Sequence, residues 1–80
     1  MPTSWWFKED ALPLPIEWTW RMISDDGCIV TLSLPFAELG QTISDAMESG
    51  FQPGRDYWTI ESSRGVTRFR PGQDSVYIHK

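Results

Sequence analysis

Five of the eighty residues are tryptophan, and four of them fall within the first twenty positions: Trp5, Trp6, Trp18 and Trp20. A chain this short buries only about 60% of the surface that its unfolded form exposes, so a small core must hold it together. Disulfides, a metal or a second subunit usually supplement such a core. Aromatic side chains, which can bury roughly 150–250 Å² each, are another way to enlarge it.

The chain has one cysteine, Cys28, and one histidine, His79. It therefore cannot form an intramolecular disulfide or a zinc site with the usual four ligands, and we expect no cofactor. A lone cysteine is typical of a reducing compartment, and the N-terminus shows no basic region followed by an apolar run. No apolar stretch approaches the ~18 residues of a membrane span. These features predict a soluble cytoplasmic protein without a membrane partner.

The charge is distributed unevenly along the sequence. The net charge is −4, with −6 on residues 1–50 and +2 on residues 51–80. An acidic surface repels phosphate backbones, so nucleic acid is disfavoured as a partner. The basic C-terminal part could still contact nucleic acid locally.

Residues 1–16 show neither helical nor strand periodicity, and Pro13 and Pro15 favour an extended backbone. We therefore expect an extended N-terminal arm over residues 1–16 and a single domain over residues 17–80.

The arm carries Trp5, Trp6 and Phe7, which exceed what a small core needs. Adjacent residues of an extended segment point to opposite sides, so Trp5 and Trp6 cannot both cover one surface. Either the arm caps the open end of its own core, or these three residues contact another chain.

Strict alternation begins after Glu17 and places Trp18, Trp20 and Met22 on one face of a strand. Asp25-Asp26-Gly27 follows and is typical of a tight turn, after which residues 28–33 are again rich in β-forming side chains. The pattern predicts a β-hairpin over residues 17–33.

A helix is predicted over residues 36–49, because apolar side chains recur there at spacings of three and four: Phe36, Leu39, Ile43, Ala46 and Met47. Gly50 suits a left-handed C-terminal cap. Gly40 costs up to about 1 kcal/mol inside a helix, which indicates a close backbone approach there.

Further strands are predicted over residues 57–61 and 66–70, with a possible last strand over residues 75–79. The fold class is therefore α+β: one small domain with a single helix on an antiparallel sheet of three to five strands, in the order ββαββ.

Within residues 18–50, several positions follow the pattern of one known family: Trp18-Thr19-Trp20-Arg21, Gly27, Ile29, Ser33, Phe36, Ile43 and Met47. The stretch resembles the small YegP-like domain family of bacterial proteins, whose unit is a β-hairpin followed by a helix. Members typically carry Asn-Gly where this chain has Asp26-Gly27, and often two tandem copies where this chain has one. The resemblance implies a paired or dimeric arrangement and no catalytic residue.

The sequence offers little to catalysis. The residue types of a hydrolytic triad are present as Ser62 or Ser63, Asp74 and His79. However, His79 lies next to the C-terminus, and no sequence feature positions a serine nucleophile beside it. No glycine-rich phosphate loop occurs. We expect that the protein is not an enzyme.

These observations favour a non-enzymatic protein-interaction or adaptor module that forms a homodimer. The candidate contact residues are Trp5, Trp6, Phe7, Asp25 and Asp26. Tryptophan is enriched at interface hot spots, and the arm presents three aromatic side chains.

Two other functions stay open. An acidic face could occupy the nucleic-acid site of a host protein, as a phage- or plasmid-type inhibitor would, and its residues would be Asp25, Asp26, Glu38, Asp45 and Glu48.

Alternatively, Arg64, Arg68 and Arg70 surround Phe69 and form a set suited to single-stranded nucleic acid. If Phe69 faces the core it cannot stack on a base, and Glu61 on the neighbouring strand can instead pair with the arginines.

Overall fold

The computed structural model describes residues 3–11 and 14–72, which contain one helix and five strands. The elements are β1 (Ser4–Asp10), β2 (Glu17–Ile23), β3 (Ile29–Leu32), α1 (Leu39–Glu48), β4 (Tyr57–Ser62) and β5 (Gly65–Phe69). The strands form a single mixed sheet in the order β3-β2-β1-β4-β5. The predicted α+β class is confirmed, and β1 precedes the predicted ββαββ order.

β1 is the central strand of the sheet. It pairs antiparallel with β2 and parallel with β4. The prediction of an N-terminal arm is therefore wrong for residues 4–10, and so is the prediction of a purely antiparallel sheet. A central strand has neighbours on both sides and large side chains on both faces, so SWWFKED lacks the apolar–polar alternation that marks a half-exposed strand.

The core lies between α1 and one face of the sheet. Its buried apolar residues are Trp5, Phe7, Trp20, Leu39, Ile43, Ala46, Phe51, Trp58, Ile60 and Phe69. Phe51 lies over the sheet centre, with ring centroids 5.3 Å from Phe7 and 5.2 Å from Trp58. Trp58 stacks on Phe69 at 4.0 Å. The aromatic side chains therefore form a continuous cluster across β2, β1, β4 and β5.

α1 begins at Leu39, three residues later than predicted. The reason is that Phe36 continues the sheet: its backbone N–H and C=O each bond to Trp18 at 2.8 Å. Met47 was expected in the core but is 49% exposed. Thr42 is fully buried instead, and its hydroxyl is satisfied by donating to the Glu38 carbonyl at 2.9 Å.

A hydrogen bond ties the helix to the sheet: the Trp20 indole Nε1–H donates to Asp45 Oδ2 at 2.8 Å. Gly50 ends the helix with a positive φ of 114°, as predicted. Gly40 has no atom within 4 Å of where a Cβ would lie, so the predicted close approach there is wrong.

The hairpin predicted over residues 17–33 is confirmed, with Gly27 at φ 89° in its turn. The strands predicted over 57–61 and 66–70 are confirmed within one residue. The possible strand over 75–79 lies outside the described residues. Within the described residues, the single helix is not long and apolar enough to cross a membrane.

Deletion of residues 1–10 should abolish cooperative folding, because it removes the strand that joins β2 to β4. We expect the truncated chain to lose its near-UV circular dichroism and its cooperative urea transition. A truncated chain that still unfolds cooperatively would contradict the central position of β1. The substitution Phe7→Ala tests the same point more gently and should lower the free energy of unfolding by about 3–5 kcal/mol.

Candidate functional site

One face of the sheet carries α1, and within the described residues no helix covers the other. Side chains alternate along a strand, so the residues of β1 that alternate with the buried Trp5 and Phe7 point to this second face. The strand registers extend the set to the neighbouring strands. The helix-free face therefore comprises Ser4, Trp6, Lys8, Asp10, Glu17, Thr19, Arg21, Ile23, Leu32, Tyr57, Thr59, Glu61, Val66 and Arg68.

A single row of this face crosses all five strands. Leu32, Arg21, Trp6, Thr59 and Arg68 are successive cross-strand partners. Neighbouring strands lie about 4.8 Å apart, so the two arginines flank Trp6 with their backbones about 14 Å from each other. The row places an aromatic ring between two cationic side chains.

The next row contains Lys8 and Glu61, which are partners on β1 and β4. The Trp6 indole Nε1–H donates to Glu61 Oε1 at 2.9 Å, which fixes the ring on the face. Within the described residues Arg68 forms no ion pair, so the predicted pairing of Glu61 with this arginine is not observed.

Two polar atoms of this face are buried without a hydrogen-bond partner in the described residues: Thr19 Oγ1 and Arg21 Nε. Buried polar groups are nearly always paired, so each such group needs an explanation. Both lie beside Trp6 and Lys8 in the strand register, on β2. Both atoms are buried, so neither is open to an incoming ligand on this face.

The structure separates the three aromatic residues that were predicted to contact a partner. Trp5 and Phe7 are 4% and 0% exposed, because they face the core under α1. Their burial contradicts their proposed role as interface residues. Trp6 points to the helix-free face and is part-buried there.

Asp25 and Asp26 lie in the exposed turn between β2 and β3. Asp26 accepts hydrogen bonds from the Ser24 hydroxyl and, at 3.2 Å, from the Cys28 N–H, and these contacts lower its pKa from the ordinary value of 3.8. Asp26 therefore stabilises the turn that leads into β3. Asp25 lines a cleft of about 330 Å³ that Arg68 also lines.

The three arginines predicted for nucleic-acid binding do not form one strip on the face. Arg68 lies on the helix-free face, Arg64 is exposed in the β4–β5 turn, and Arg70 follows the end of β5. Phe69 is buried, so it cannot stack on a base.

Sequence reasoning missed Lys8 and Arg21 as cationic members of this surface. The alternation in β2 already placed Arg21 opposite the core, and that signal was available. The role of Lys8 depends on the central position of β1, which no local pattern indicates.

β3 forms one edge of the sheet, and all four of its residues are exposed. It carries no charge, and its apolar residues Ile29, Val30 and Leu32 are 57–59% exposed. The opposite edge, β5, carries Arg68 and is flanked by Arg64 and Arg70. The two edges therefore differ in chemistry.

The acidic residues of the inhibitor hypothesis are dispersed. Glu38, Asp45 and Glu48 line a shallow groove of about 550 Å³ beside α1, whereas Asp25 and Asp26 lie in the β2–β3 turn. Asp45 is already bonded to Trp20. The inhibitor function stays a prediction.

A second cleft, of about 520 Å³, is lined by Trp18, Ile60 and Ser62–Thr67 together with Glu9. Glu9 accepts from the Ser63 N–H at 2.9 Å, and Ser62 accepts from the Arg64 N–H at 3.2 Å. Asp74 and His79, the other two residue types considered for a hydrolytic triad with these serines, lie outside the described residues. Within residues 3–11 and 14–72, no three His, Cys, Asp or Glu side chains are grouped to hold a metal.

Comparison of the chain with protein-family models, curated protein sequences and solved structures finds no match. The function is therefore inferred from the surfaces of the molecule itself.

The substitution Asp26→Asn should reduce the acid sensitivity of the fold. Because the folded-state pKa is lowered, ionised Asp26 adds stability above pH 3.8 that is lost as the pH falls through the folded-state pKa. The variant should melt at a slightly lower temperature than the wild type at pH 7, and the difference should vanish once the pH has fallen below the folded-state pKa of Asp26. Thermal melts followed by circular dichroism across this range measure it, and equal melting temperatures at pH 7 would contradict a stabilising role.

Proposed function

We propose that this chain is a small, non-enzymatic protein-interaction module that pairs with a second copy of itself through the edge of β3. The observation that carries the proposal is the exposure of all four β3 residues at the rim of the sheet. An edge strand presents a row of unpaired N–H and C=O groups, which a further strand can complete.

The contrast between the two edges favours β3. Natural proteins protect edge strands with charged side chains, and β5 has Arg68 within it and Arg64 just before it. Two β5 edges would bring these like charges together. β3 has three exposed apolar side chains and no charge, so its pairing meets no such repulsion.

A symmetric pair places the two β3 strands antiparallel, as a two-fold axis through Val30 and Thr31 requires. The two five-stranded sheets then become one continuous sheet. The acidic turn of each copy lies at the Leu32 end of its partner strand, so the Asp25 and Asp26 carboxylates of the two copies remain apart.

The strand contact is short, since β3 has only four residues. Stable interfaces usually bury about 1,200–2,000 Å² in total, and a pair of four-residue strands buries far less on its own. We therefore expect a monomer–dimer equilibrium that depends on concentration. The resemblance to the YegP-like family, whose members often carry two tandem copies, supports pairing of the unit.

The test is light scattering of the wild type over a range of concentrations, with two matched variants. The mass should rise from the 9.2 kDa of one chain toward twice that value. Val30→Lys should remain monomeric, because it places a charged side chain at the centre of the contact in both copies, as natural edge strands do to prevent pairing. Val66→Lys makes the same change at a similarly exposed position on β5 and should dimerise like the wild type.

Urea unfolding of both variants checks that they remain folded. A wild type that stays monomeric at every concentration, or a Val30→Lys variant that dimerises as well as the Val66→Lys variant, would contradict pairing through β3.

A further inference from the structure

We infer that the second cleft, which is lined by Glu9, Trp18, Ile60 and Ser62–Thr67, binds a free α-amino acid with an apolar side chain. Its volume of about 520 Å³ lies within the range of small-molecule sites. This binding is separate from the proposed pairing of two copies, because no β3 residue lines the cleft.

The cleft lies on the helix side of the sheet, where the aromatic core ends. Glu9 alternates with the buried Phe7 along β1, so its side chain points to the same side as the core. Trp18 is the partner of Glu9 on β2, and Ile60 is the partner of Phe7 on β4. α1 packs against β2 and β1, while Thr67 on the same side of β5 is exposed. The central strand therefore carries a carboxylate at the open end of the core.

The Glu9 carboxylate is available to a cation. Its Oε1 accepts from the Ser63 N–H at 2.9 Å, which holds the group beside the β4–β5 turn. Within residues 3–11 and 14–72, no cationic side chain pairs with it. Trp18, its part-buried neighbour, adds an indole ring. A carboxylate next to an aromatic ring suits a ligand ammonium group, which the charge and the ring both attract.

Arg64 supplies the opposite charge in the same cleft. It follows Ser63 in the chain, so its Cα lies within about 8 Å of Glu9 Oε1. In the described part of the chain its guanidinium forms no ion pair, with Glu9 or with any other residue. A ligand with an ammonium group and a carboxylate group can bridge the two side chains, at about 2.8 Å from each. The guanidinium can bind such a carboxylate through two parallel hydrogen bonds.

The balance of charge in the cleft favours a zwitterion over a simple cation or anion. Glu9 and Arg64 are the only charged residues among those that line it. Lys8 and Asp10, the neighbours of Glu9 on β1, point to the helix-free face. A ligand with one charge would leave the opposite protein charge unmatched. The apolar wall of Trp18 and Ile60 suits the side chain of the amino acid.

The experiment is a titration of the full chain with L-leucine, followed by ¹H–¹⁵N NMR at the Trp18 indole N–H and the Ser63 backbone N–H. A ligand of this size in an open cleft should bind with a Kd of roughly 1 mM. Two analogues separate the charges: isopentylamine lacks the carboxylate, and isocaproate lacks the ammonium group. Each should bind about tenfold or more weakly than leucine, because it loses one charge-assisted contact.

Two variants assign the charges to their residues. Glu9→Gln keeps an acceptor for the Ser63 N–H and removes the charge, so it should weaken leucine about tenfold or more without weakening isocaproate. Arg64→Gln should weaken leucine and isocaproate without weakening isopentylamine. Asp10→Asn and Arg68→Gln are the matched controls, since they remove the same charges from the helix-free face and should bind leucine like the wild type.

Absence of leucine-dependent shifts at Trp18 and Ser63 up to about 20 mM would overturn the inference. Equal binding of leucine and either analogue would do the same, as would a charge variant that binds leucine as well as its control. The amide spectrum of each variant checks that it is folded. Val30→Lys should bind leucine like the wild type, so failure of β3 pairing and failure of amino-acid binding are distinguishable.

Discussion

The parallel pairing of β1 with β4 is the contact on which the rest of the structure depends. On one side of it lies the β2–β3 hairpin with α1, and on the other lies the β4–β5 hairpin. Isolated two-stranded hairpins are marginal in water. The pairing sets Trp5 beside Trp58 and Phe7 beside Ile60, and Phe51 packs on the resulting aromatic surface. A chain without disulfides thus builds one core from two local units.

The same strand determines the chemistry of both faces of the sheet. Trp5 and Phe7 enter the core, while Trp6 and Lys8, at alternate positions, reach the helix-free face. Core and candidate site therefore share one backbone segment. Substitutions on the open face must keep the strand in register, because a one-residue slip would exchange the two sets of side chains.

Local patterns predicted the local parts of this fold. The hairpin over residues 17–33 follows from the alternation of Trp18 and Trp20 and from the glycine turn, and the helix follows from its apolar spacing. The role of β1 was not predictable in this way, because its partner β4 begins more than fifty positions later and nothing within SWWFKED indicates a parallel neighbour. The candidate site was only partly accessible for the same reason: Arg68 was identified from its own strand, whereas the row that unites it with Arg21 and Trp6 exists only across the assembled sheet.

The distance in sequence between β1 and β4 also has a consequence for how the protein is made. Folds dominated by contacts between remote segments form slowly, since a long loop must close before the contact stabilises it. The aromatic first strand leaves the ribosome before its parallel partner has been synthesised. During that interval Trp5 and Phe7 lie in a segment that lacks half of its sheet, so the nascent chain exposes these aromatic side chains to the cell's chaperones until the last hairpin arrives.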